Sequence, residues 1–133
     1  MPEKKPEEMK VIMVGRELCG YVLQATHKSP KEFRYSVSSR LQNLSLDVLE
    51  NLYRANEVYV EDGPEKQERR RQRLDFQQKA MTSLRMLTFF AELGLDHKVI
   101  LFRHYDKISD MVITCMKMIV AWMNSDRNRF GTA

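Results

Sequence analysis

Between Ser29 and Tyr59 the apolar residues fall at Phe33, Val37, Leu41, Leu44, Val48, Leu52, Ala55 and Tyr59, in steps of three and four. That spacing lays one apolar stripe along a helix, whereas a strand would alternate at every second residue. Ser29 as N-cap, Pro30 in the first turn and Glu32 three residues past the cap predict where the helix starts. At about 1.5 Å per residue it spans roughly 40 Å, so hiding its stripe takes partner helices of similar length.

Three further segments supply them. A helix from about Met9 to Thr26 places Val11, Val14, Leu18, Tyr21, Val22 and Ala25 on its buried side, with Gly15 and Gly20 lowering its propensity. The run Glu61, Asp62, Gly63, Pro64 is turn chemistry. Beyond it a helix from about Glu65 to Leu93, stopped by Gly94, carries Phe76, Ala80, Leu84, Leu87 and Ala91. Projected backwards, that stripe lands on Arg73 and Arg69, so the seam turns from apolar to cationic. Asp96 is the expected N-cap of a last helix from about His97 to Asn124, striped by Leu101, Tyr105, Ile108, Val112, Cys115, Ile119 and Trp122. Short links favour antiparallel neighbours, so the expected fold is all-α, an up-down-up-down antiparallel four-helix bundle over residues 9–124. Residues 1–8 are expected as a flexible lead-in and 125–133 as a short basic tail.

Composition agrees with a globular chain: 133 residues, 43% hydrophobic and 30% charged, with only 5 Gly and 4 Pro for turns. The net charge of +4 is compatible with a nucleic-acid partner without demanding one. Cys19 and Cys115 both lie in apolar helical stretches, as core thiols of a reducing compartment would. No signal-peptide pattern follows the first lysines, and Met111 to Met123 is too short and too polar to span a bilayer, so the expected location is the cytoplasm and no membrane partner is expected.

The residues offer no catalytic constellation, metal site or cofactor motif. His27, His97 and His104 lack HExxH spacing, and none has the Arg four to six residues upstream that bundle-type RNases of the HEPN class carry. Two other features are informative. Residues 65–79, EKQERRRQRLDFQQK, hold six basic and three acidic side chains, net +3, and arginine forks grip phosphate at two points. The competing reading is a solvated face laced with pairs such as Glu65 with Arg69 and Asp75 with Lys79, or one neutralised by Glu57, Glu61 and Asp62 at the end of the preceding helix. Lys4, Lys5, Lys10, Arg127 and Arg129 are expected at that same end, and Lys28, Lys31, Arg34 and Arg40 form a second basic group at the opposite one. The other feature is surplus apolar surface on MVITCMKMIVAWM, where Met111, Met116, Met118 and Met123 are expected to form an oligomer interface.

The stretches RLQNLSLDVLENLYRAN, RLDFQQKAMTSLRML and IVAWMNSDR resemble the accessory variability determinant proteins of diversity-generating retroelements, which share their fold with proteins encoded in 23S rRNA intervening sequences. The resemblance covers the chain from the first helix to Trp122 and rests on pattern, without a catalytic signature. It implies a barrel-shaped homopentamer that is not an enzyme. It also implies partners: a reverse transcriptase, its template RNA and the cDNA made by mutagenic copying. Carried onto this chain, the nucleic-acid or polymerase contacts are Arg34, Arg40, Arg69, Arg70, Arg73, Lys79 and Arg85, the last in the SLRML pattern. The rival expectation is an interaction module that uses its apolar face alone.

Overall fold

The structure, a computed structural model, describes residues 6–133, with side chains from Lys10 onward. Four long helices make it up: α1 (Pro6–Ala25), α2 (Ser39–Glu57), α3 (Lys66–Asp96) and α4 (Phe102–Phe130). Sequential helices pack on one another, and α1 closes the ring against α4. Among the described residues the backbones of the diagonal pairs, α1 with α3 and α2 with α4, do not approach within 8 Å, and those helices meet only through side chains in the core. Short links and this ring order make an antiparallel up-down-up-down bundle. The expected stripes form its core: Leu41, Val48, Leu52 and Ala55 meet Leu18, Val22, Leu84, Leu87, Ile108, Ile119 and Trp122.

Gly15 sits at the α1–α2 seam. A Cβ on Gly15 would sit 2.9 Å from Leu52 Cδ1, so the missing side chain lets these helices close. One turn further along, the Cys19 thiol donates to the Ser45 carbonyl at 3.0 Å. Burial pushes the Cys19 thiol up, and burial together with the neighbouring Cys19 pushes Cys115 up to about 12. Both cysteines are free and buried.

The ends of the elements differ from the sequence expectation, each for a local reason. Ser29 donates its hydroxyl back to the Thr26 carbonyl at 2.7 Å and closes α1, so it does not cap α2. After it the chain makes a 3₁₀ turn (Lys31–Phe33) and a π turn (Arg34–Ser38) before α2 proper. At the other end α2 stops at Glu57, and Tyr59 lies outside it. Gly94 does not end α3. It is buried inside the helix, and its carbonyl accepts the returning N–H groups of Val99 and Ile100 at 2.7 and 3.3 Å. The left-handed backbone position falls on Lys98, at φ 61°. Asp96 is the last residue of α3 and not the cap of α4. There the Leu101 N–H donates to His104 Nδ1 at 3.2 Å, half of a capping box.

α4 continues past Asn124 through most of the expected tail, because Asp126 extends its buried stripe by one more turn beyond Trp122. At the start of the chain α1 already runs from Pro6, within the expected lead-in, and residues 1–5, with Lys4 and Lys5, lie outside the described residues. No helix among the described residues is long and apolar enough to cross a membrane.

Candidate nucleic-acid interface

The bundle has a cationic group at each end, and the two are built differently. At the end where α3 begins, two arginines of the RRRQR run point inward. Arg73 is 4% exposed and Arg70 2%. Arg73 Nε donates to Asp126 Oδ2 at 2.6 Å and Nη2 to Oδ1 at 3.1 Å, a bidentate pair with a carboxylate that is fully buried. Its Nη1 donates to the Ala55 and Val58 carbonyls at the end of α2, and the guanidinium lies 5.1 Å from the Trp122 ring. Gln77 donates to the same Asp126 at 2.9 Å. Arg70 Nε reaches the Gly131 carbonyl at 3.1 Å. Desolvation holds the Arg70 pKa below its usual value, partly opposed by Asp126 and reinforced by Arg73 and Arg127.

These two side chains join α2, α3 and α4, and their forks face the protein. As surface phosphate contacts Arg70 and Arg73 are unsuitable, because using them would mean pulling a guanidinium out of a buried network. The partner of Arg73 is Asp126 of α4; of the acids expected at the end of α2, Asp62 meets Lys66 instead. The other basic side chains of residues 65–79 lie nearer the surface and are paired with acids three or four residues away. Arg69 meets Glu65 at 3.3 Å, Arg71 meets Glu68 at 3.6 Å, Lys79 meets Asp75 at 3.0 Å, and Lys66 meets Asp62 at 3.1 Å. Exposed pairs like these add little to stability, but they lower the field a polyanion would feel.

The opposite end carries cations without carboxylate partners. Lys28, Lys31, Arg34, Lys98 and Arg103 are exposed, and none of them forms an ion pair among the described residues. Arg40 is also exposed, with its guanidinium 5.4 Å from the Phe90 ring. The π turn sets this surface: it keeps Val37 and Ser38 buried while Arg34 and Tyr35 face solvent. Phe33 packs on the His97 ring at 5.2 Å and ties the α1–α2 connection to the α3–α4 connection. Arg85 is exposed in the middle of α3 and likewise unpaired. So the structure places Arg34 and Arg40 at the same end as Lys28, Lys31, Lys98 and Arg103, and it separates Arg69 from them by the length of the bundle, with Lys79 near the middle of α3. Lys98 and Arg103 carry no signal in the sequence, since each stands alone there and only the fold brings them beside Lys28.

The four methionines of α4 are half-buried and pack against the core, filling its flanks. The large apolar side chains left exposed on that helix are Phe102, 66% exposed at its first turn, Ile113, 50%, and Val120, 44%. Met13, Leu23, Leu46, Met86 and Phe89 add exposed apolar side chains on the other three helices.

No protein-family model matches the chain, and no curated protein matches it.

Proposed function

We propose that this protein is a non-enzymatic cytoplasmic adaptor that binds a reverse transcriptase and its template RNA and supports mutagenic cDNA synthesis in a diversity-generating retroelement. The observation that carries the reading is the cationic loop end. Six basic side chains project there without a carboxylate partner, and such a surface exchanges its counterions for phosphates. The resemblance in α2, α3 and α4 supplies the biological setting, and with it a homopentamer. Exposed Ile113 and Val120 are the α4 positions best placed to meet other copies, with Met111, Met116, Met118 and Met123 supporting them from beneath.

The test is RNA binding against salt. Affinity for a single-stranded RNA should fall steeply between about 50 and 200 mM salt. An affinity that is absent or indifferent to salt would remove RNA from the reading. It would leave a protein-interaction module, which the exposed apolar residues on every helix already favour as the second reading. Replacing Ile113 and Val120 with Glu should lower the mass measured by light scattering; an unaltered oligomer would refute the interface.

A further inference from the structure

Between the α1–α2 and α3–α4 connections lies a pocket of about 380 Å³. His27, Lys28, Lys98, Arg103 and His104 supply its polar wall, and Ala25, Val99, Ile100 and Leu101 its apolar one. No carboxylate is among its lining residues, and the cations have no ion-pair partner among the described residues. Two other cavities contrast with it: one is lined by Glu61, Asp62 and Glu65 with Arg69, the other by Glu17, Asp106 and Asp110 with Lys107.

Lys98 is held at φ 61°, a left-handed conformation that favours Gly or Asn and is unfavourable for lysine. The backbone thus accepts strain in placing an ammonium at the pocket. His104 is oriented as a donor. Its Nδ1 accepts from Leu101 N–H, which leaves the proton on Nε2, and burial beside Arg103 keeps the ring neutral at pH 7. The pocket also opens at the first turn of α4, the positive end of that helix's dipole.

We propose that this pocket binds a phosphomonoester of nucleotide type, with the phosphate held by Lys28, Lys98 and Arg103 and the base against the apolar wall of Val99 and Ile100. The same chemistry is offered by a free nucleoside monophosphate and by the 5′-phosphorylated end of an RNA strand. The volume suits a mononucleotide, being at the lower end of small-ligand sites. The pocket does not depend on the adaptor reading, because internal phosphates of a template would track Arg34 and Arg40 outside it.

The experiment is calorimetric titration with AMP and with two short RNAs of one sequence, 5′-phosphorylated and 5′-hydroxyl. We expect AMP to bind, the phosphorylated RNA to bind more tightly than its hydroxyl twin, or both. Binding of AMP alone identifies the free nucleotide as the source, and preference for the phosphorylated RNA alone identifies the strand end. Lys98→Asn keeps the left-handed turn while removing the charge, and Arg103→Gln removes the second. Each should cost about tenfold in that affinity, the loss of one charge-assisted hydrogen bond. Arg69→Gln, at the far end, should cost nothing. The proposal is overturned by three results: neither ligand discriminated, an affinity unmoved by Lys98→Asn and Arg103→Gln, or an acidic peptide displacing AMP at lower concentration than AMP displaces it. General RNA affinity, read with the 5′-hydroxyl strand, can fail or survive separately.

Discussion

Asp126 and Arg73 show what a single charged residue is worth in this bundle. A carboxylate with no exposure holds a guanidinium through two hydrogen bonds, at 2.6 and 3.1 Å. Removing one partner leaves the other charged and buried, so Asp126→Ala should cost about 3–5 kcal/mol in denaturant unfolding. Replacing both, as Arg73→Met with Asp126→Leu, should recover much of that loss, since a buried pair competes poorly with apolar packing. The two glycines of α1 make a sharper contrast. A Cβ on Gly20 meets nothing within 4 Å, so Gly20→Ala should stabilise by about 0.5–1 kcal/mol through helix propensity. The same change at Gly15 forces Leu52 aside and should gain less or destabilise, a difference thermal melts would register. His104 contributes to the pH dependence. Its folded pKa lies below the unfolded 6.5, so the unfolded chain binds more protons as pH falls through that range. Stability from this group is therefore present above pH 6.5 and lost towards acid, and His104→Gln should flatten that limb of a stability–pH curve.

At the scale of elements, the periodicity made all four helices legible, because each buries one continuous stripe and such a stripe has a period that can be counted. The ends were less legible. Gly94 reads as a stop, yet the helix runs on to Asp96 and places its left-handed residue at Lys98. Ser29 reads as a cap for α2, but the hydroxyl is spent on Thr26. The pairs Glu65–Arg69 and Asp75–Lys79 were legible, because i,i+4 neighbours meet on any helix. The Arg73–Asp126 pair was half legible. Stepping the α3 stripe backwards lands on Arg73 and stepping the α4 stripe forwards from Trp122 lands on Asp126, but which seam positions face each other is a tertiary fact. The pocket at the loop end was not legible, since Lys28 and Lys98 are joined only by folding. Helix packing also predicts the thiol chemistry. With Cys115 at about 12 and Cys19 raised by burial, a thiol reagent at about pH 8 should label neither in the native protein and both after unfolding.

For the whole molecule, the two ends of one bundle divide their arginines and lysines between structure and contact. At the α3 start Arg70 and Arg73 are internal and Arg69 and Arg71 are paired along the helix, which leaves Arg127 exposed; at the opposite end six exposed cations form no ion pair among the described residues. More unpaired cations therefore stand at that opposite end, where the field is better able to draw in a polyanion. The adaptor reading rests on that asymmetry. Its most direct measurement is fluorescence anisotropy of a labelled RNA titrated over a range of salt, comparing two charge-reversed proteins. Arg34→Glu with Arg40→Glu should weaken binding sharply and reduce the salt slope by about 2, while Arg69→Glu with Lys79→Glu should leave both nearly unchanged. Equal losses from the two, or a larger loss at the Arg69 end, would contradict the account.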